Sequence, residues 1–141
     1  VIHSAACDKD EPIDWFSAEI KGVTEGQGSI YQHSDFYKKT FPFVNQAETP
    51  SQLPGSRLDT LCAGLVITTI DLLHIDIEGA EFVALSGMGD LRPKMIFLEV
   101  QKKYFKSGVD IKDTEPLLAH LGYELALNLG IDRVYLHRSV L

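Results

Sequence analysis

The chain has 141 residues, of which 45% are hydrophobic and 23% charged, with a net charge of -7; this suits one folded domain with a buried core and excludes disordered and collagen-like chains. The acidic balance is against a nucleic-acid surface, which needs clustered positive charge, and the densest cationic group, Lys102, Lys103 and Lys106, reads as a solvated edge. No run approaches the ~20 apolar residues of a membrane span, and the two cysteines, Cys7 and Cys62, make neither a disulfide framework nor a metal spacing.

Taken in order, Val1 to Ala6 reads as the end of a strand, two β-branched residues and then small ones, followed by the turn formers Asp8, Lys9 and Asp10. Ile13 to Ile20 alternates loosely around Trp15 and Phe16 and predicts an edge strand, a role that Pro12 suits. Gly22, Gly26 and Gly28 predict a flexible loop; it lacks the lysine and the helix start of a phosphate-binding loop. Tyr31 to Pro54 is polar, aromatic and interrupted by proline, an excursion that either covers an active site or is a plain surface insertion. Arg57 to Leu61 opens a short helical turn.

From Leu72 to Ile77 the pattern is that of a buried strand, with Leu73, Ile75 and Ile77 on one face and Leu72, His74 and Asp76 on the other. Gly79 breaks it. Ala80, Val83, Ala84 and Gly87 then recur every three or four residues, which predicts a helix laid back across a sheet, with Ala84 and Gly87 allowing close approach. A second apolar run, Lys94 to Val100, follows Pro93. The simplest topology is a right-handed strand-helix-strand unit with parallel strands at about 71–77 and 94–100.

After a polar connection from Gln101 to Gly108, Asp113 or Thr114 is expected to cap a helix carrying Leu117, Leu118 and Leu121, with Pro116 in its first turn and Gly122 as its stop. Two last strands, at about 123–128 and 133–138, form an antiparallel hairpin turning at Gly130.

Asp76 and Glu78 close the first parallel strand and Glu99 closes the second, so all three carboxylates fall at the carboxyl edge, where open α/β sheets bind ligands. Alternation puts His74, Asp76 and Glu78 on one face. Acids gathered at one edge imply a cationic ligand, a metal or a shared proton. Glu81 reads as a helix-dipole residue and His74 as a core histidine. One function consistent with the acids is a hydrolase in which Asp76, Glu78 and Glu99 bind magnesium or manganese; another is a catalytically silent interaction domain.

The run HIDIEGAEFVALSGM, followed by Pro93 and FLEV, resembles the K-I-D-x-E-G-x-E signature of FkbM-like S-adenosylmethionine-dependent methyltransferases. The lead-in GSRLDTLC is similar to the family's L-D-x-L segment, VIHSAACDKDEPIDWF to its strand, A-x-x-D and small β excursion, and the closing RVYLHR to its last element. His74 stands where the family usually has lysine, and the family's glycine-rich cofactor loop is absent.

The resemblance implies an α/β chain with a partial Rossmann-like class I methyltransferase fold, its parallel strands followed by the antiparallel hairpin. In the family's sheet, ordered 3-2-1-4-5-7-6, residues 1–141 supply strands 3 to 7, the C-terminal portion of one methyltransferase domain whose N-terminal cofactor-binding half is missing. It further implies S-adenosylmethionine as cofactor and methyl transfer to the hydroxyl of a small molecule or sugar, with no nucleic-acid or membrane partner. Asp76, Glu78 and Glu99 are the catalytic candidates. Ala6, Cys7 and Asp76 are the cofactor-binding candidates, with Ala6 and Cys7 near the adenine, and Tyr31 to Pro54 would roof the acceptor pocket. No signal-peptide pattern is present, so cytoplasmic placement is expected, while a chain starting at Val1 is expected to have an upstream segment.

Overall fold

The computed structural model describes residues 1–24, 26–99, 104–106 and 111–141. Its elements run β1 (Ala5–Ala6), β2 (Ile13–Trp15), β3 (Ala18–Ile20), β4 (Val23–Thr24), α1 (Asp35–Thr40), β5 (Val44–Gln46), β6 (Ser51–Leu53), β7 (Gly55–Ser56) and α2 (Leu58–Gly64). They continue through β8 (Leu72–Ile75), α3 (Glu81–Ser86), β9 (Met95–Glu99), α4 (Ile111–His120), β10 (Tyr123–Leu129) and β11 (Asp132–His137) to a closing 3-10 turn, Arg138–Val140. The Gln101 to Gly108 connection lies outside the described residues apart from residues 104–106, as do Val100, Lys102 and Lys103.

The largest sheet has four strands in the order β10-β11-β9-β8. β8 and β9 are parallel, with Leu72 beside Met95 and Ile75 beside Leu98. β11 then pairs antiparallel with β9, and β10 antiparallel with β11. Both expected pairings are present, and the ladder shows why their sequences read clearly. Ile75, Ile96 and Leu98 are buried under Leu85 and Met88 of the α3 segment and Leu118 of α4, so apolar residues recur at the strand period on one side and the helix period on the other. Gly87 lets the end of α3 lie against the backbone at Cys7, since a Cβ there would come within 2.0 Å of the Cys7 carbonyl oxygen.

Several boundaries differ from the sequence reading. β8 ends at Ile75, so Asp76 and Ile77 already belong to the connection. Ile13 to Ile20 is not one strand: β2 pairs with β6, whereas β3 pairs with β4 and β5, and the chain changes sheet where Phe16 exchanges backbone hydrogen bonds with Ser29. Tyr31 to Pro54 contains α1, β5 and β6, and α1 starts where the Ser34 hydroxyl accepts from the Tyr37 amide at 3.1 Å. α4 begins at Ile111, ahead of Asp113 and Thr114, which puts Pro116 inside the helix; Gly122 ends it with φ of 92°.

A second, smaller core joins Ala18, Tyr37, Val44 and Phe105. It meets the first at the turn after β8.

Candidate active site

Past Ile75 the backbone makes a tight turn in which Glu78 and Gly79 both have positive φ, 57° and 94°. For glutamate the left-handed region costs roughly 1–2 kcal/mol, and such strain concentrates where a site needs it. Three contacts hold the turn. The fully buried Ser29 hydroxyl donates to the Glu78 carbonyl at 2.6 Å. Phe105 packs against Gly79 so closely that a Cβ there would lie 2.8 Å from the ring. From the first turn of α3, Glu81 Oε1 accepts from the amides of Gly79 at 3.0 Å and Ile77 at 3.4 Å.

Glu81 is therefore more than a helix-dipole residue. Its side chain is 4% exposed and ties the helix back to the strand end.

Beside the turn lies a cleft of about 310 Å³. Asp76, Ile77, Glu78 and Ala80 form one wall, Ser4, Ala5 and Ala6 another, and Trp15, Gly26, Gly28 and Ile30 close it. Gly28 is required by the tryptophan, since a Cβ there would stand 2.5 Å from the indole ring. Of the sequence-derived candidates, Asp76, Glu78 and Ala6 line this cleft. Glu99 and Cys7 do not: Glu99 sits at the end of β9 opposite Asp132 of β11, and Cys7 is 2% exposed with its thiol directed at the Lys9 carbonyl. None of the lining residues comes from Tyr31 to Pro54, which supports the turn through Tyr37 and Phe105 instead.

Electrostatics single out Glu78. Burial pushes its carboxyl up to about 7, reinforced by the charges of Asp76, Glu99 and Glu81 and opposed by a hydrogen bond from the Gln27 side chain. Glu99 is raised too, by burial and then by Asp76, Asp132 and Glu81. Glu81 is raised by burial against the pull of its backbone hydrogen bonds. Among the described residues no ion pair reaches Asp76, Glu78 or Glu99.

Two expectations need correction. His74 is exposed and stands edge-on to Phe97 at 5.0 Å, so it is not a core histidine; β8 is an outer strand of its sheet, and the face carrying His74 is left open. The magnesium or manganese reading finds no support, because among the described residues no group of three or more histidine, cysteine, aspartate or glutamate side chains is arranged to hold a metal ion. Asp76 and Glu78 face the cleft while Glu99 stands on the neighbouring strand.

The methyltransferase FkbM domain matches residues 7–125. The chain belongs to that family. No curated protein and no solved structure matches it. The FkbM span takes in Trp15, the Gly26 to Ile30 segment and the whole turn from Asp76 to Ala80, so most of the cleft is built from the family's own domain. No helix among the described residues is long and apolar enough to cross a membrane.

Sequence reasoning missed four residues at or around this candidate site: Trp15, Gln27, Ser29 and Phe105. Trp15 is the only tryptophan, and the alternation of Ile13 to Ile20 marks it only as a strand residue. The glycines around Gln27 marked a loop, but nothing in their spacing says that the loop closes on Glu78.

Proposed function

We propose that this FkbM methyltransferase uses S-adenosylmethionine to methylate a hydroxyl of a small molecule or sugar, with Glu78 and Asp76 at the acceptor. The observation that carries the reading is a cleft holding two carboxylates, one pushed up to about 7, with no cation paired to either among the described residues. Such a cleft suits a ligand that brings its own positive charge, as a sulfonium does. The aromatic face of Trp15 and the small side chains of Ala5 and Ala6 suit a flat ring. The order β10-β11-β9-β8 further supports a class I assignment, since it is the order 6-7-5-4 of that sheet.

When bound, the cofactor supplies an electrophilic methyl group for in-line transfer to oxygen. The chain's own residues do the rest. Glu78, ionised above about pH 7, accepts the proton leaving the acceptor hydroxyl, and Asp76 orients that hydroxyl. Glu81, Ser29 and Phe105 keep the turn fixed so that Glu78 is held in place before the acceptor arrives.

Two measurements on the intact protein test this. Because the single tryptophan lines the cleft, cofactor or acceptor binding is expected to change its fluorescence saturably. Labelled S-adenosylmethionine with a panel of hydroxylated acceptors is expected to give labelled ether products. A protein that binds and transfers nothing across that panel refutes the reading.

A further inference from the structure

Trp15 belongs to two clefts. It helps to close the cleft that carries Asp76 and Glu78, and with Ser4 and Ala5 it also walls a second cleft of about 220 Å³, completed by Ile2, His3 and Leu53. The two adjoin at these three shared residues. Strand pairing builds the common wall: Ile13 of β2 stands opposite Leu53 of β6 and Trp15 opposite Ser51, so Trp15 and Leu53 project from one face as diagonal neighbours. The other wall is tethered to the same segment. The Ala5 amide donates to the Pro54 carbonyl at 2.9 Å, and the Ser4 hydroxyl donates to that carbonyl at 3.0 Å.

Volume and chemistry decide what the second cleft takes. The first cleft, about 310 Å³, is at the lower end of the roughly 300–1,000 Å³ that a single ligand site offers, so methyl donor and acceptor do not both lie wholly inside it. The lining of the second cleft is apolar apart from Ser4, whose hydroxyl is engaged, and His3, which is exposed. No carboxylate, lysine or arginine is among its described lining residues. The sulfonium, ammonium, carboxylate and ribose of S-adenosylmethionine find no counterpart there, so the piece that suits it is an apolar part of the acceptor. An apolar space of about 150 Å³ already takes a benzene ring, and an indole wall favours an aromatic guest.

We propose that the acceptor is a hydroxyl compound with an aryl arm: its hydroxyl meets Asp76 and Glu78 in the first cleft, and its ring passes Trp15 to lie against Ile2 and Leu53 in the second. The hydroxyl's place rests on the methyltransferase reading, whereas the ring's place rests on the second cleft alone. The segment from Tyr31 to Pro54 then reaches the acceptor through Leu53, at the far end from the carboxylates.

The probes are phenyl-substituted primary alcohols, from benzyl alcohol to phenylpentanol, each paired with the alkanol that lacks the ring. The readout is the emission of Trp15, the chain's only tryptophan. The phenyl alcohols are expected to shift it saturably and to bind about ten-fold more tightly than their partners, the lower end of what burying an apolar group of that size gives. Affinity is expected to peak at one linker length, where hydroxyl and ring reach their clefts together. Saturating S-adenosylmethionine is expected to leave the ring bound, and Leu53→Ser to abolish the ten-fold preference. The proposal is overturned by equal binding with and without the ring, by an affinity that climbs evenly with carbon number, by displacement of the ring by the cofactor, or by a folded Leu53→Ser that keeps the preference. If Leu53→Ser does not fold, Ile2→Ser, changed at a half-exposed position, is read in the same way. Binding needs no turnover, so a ring bound as expected with no methyl ether formed from any of these alcohols refutes the methyltransferase reading and leaves the aryl cleft standing. Ethers formed equally fast from phenyl and plain alcohols keep that reading and overturn the aryl arm.

Discussion

Asp76 and Glu78 are two residues apart, yet the backbone gives them different environments. Asp76 follows the strand and is exposed, whereas Glu78 sits half-buried in a left-handed turn. Asp76→Asn keeps size and shape at an exposed position, so the melting temperature should hold while methyl transfer falls by roughly 10²–10⁴-fold, the usual cost of losing an acid-base or orienting carboxylate; a wild-type rate would make Asp76 structural. Glu78 has the opposite signature in stability. Its folded-state pKa, about 7, stands above the ordinary glutamate value of 4.5, so the folded chain holds the proton more tightly than the unfolded one. The contribution is fully present below about pH 4.5 and is lost as pH rises through about 7. Glu81 and Glu99 shift in the same direction. Thermal melts between pH 4.5 and 8 should therefore show a decline that is shallower in Glu78→Gln, and a variant with the wild-type slope would show that Glu78 titrates normally.

At the scale of elements, legibility followed periodicity. The unit from β8 to β9 was readable because its apolar residues change period at Gly79, and the closing hairpin because Gly130 and Asn128, whose side chain accepts from the Gly130 amide at 3.2 Å, mark the turn. Helix α1 was not readable. Its six residues, DFYKKT, carry no apolar stripe, and it is held by Tyr37 packing on His33 and Phe105, contacts that only the tertiary structure makes. The turn at Glu78 was not readable for a related reason, since alternation carried past Ile75 puts this residue on the strand face and no rule assigns positive φ to a glutamate. Two substitutions measure how firmly the turn is held. Gly79→Ala forces a β-carbon against Phe105 at positive φ and should cost about 2–4 kcal/mol in urea unfolding. Glu81→Ala leaves the amides of Ile77 and Gly79 without their acceptor and should cost about 1–3 kcal/mol, more than the roughly 0.3–1 kcal/mol of a dipole contact alone. A loss within that lower range would return Glu81 to a plain helix-end role.

For the molecule as a whole, the candidate site falls on the seam between two cores, with Ser29 and Phe105 on one side and β8, α3 and β9 on the other. Each core leaves the seam well packed, but the outer strands of the large sheet are not protected. β10 is covered only at Tyr123, and Leu125, Leu127 and Leu129 stand 45%, 54% and 59% exposed along it. At the other edge Leu72 of β8 is 55% exposed. Natural edge strands usually carry lysine, proline or a bulge against pairing with another chain. β10 has an irregularity between Leu125 and Leu127, and its one charged residue, Glu124, is engaged by Arg138 at 3.3 Å. The 141-residue chain should therefore associate as its concentration rises, through apolar edges rather than through charge. Sedimentation velocity should show a weight-average coefficient that climbs with loading and is little changed by salt. Leu127→Lys places a charge mid-strand on an exposed position, where it removes no core contact. It should flatten that climb without lowering the melting temperature. If Leu127→Lys associates as the parent does, β10 is not the adhesive edge and the exposed face of β8 around Leu72 becomes the one to change next. If the parent chain remains a single monomeric species at every loading, the apolar edges are tolerated as they stand.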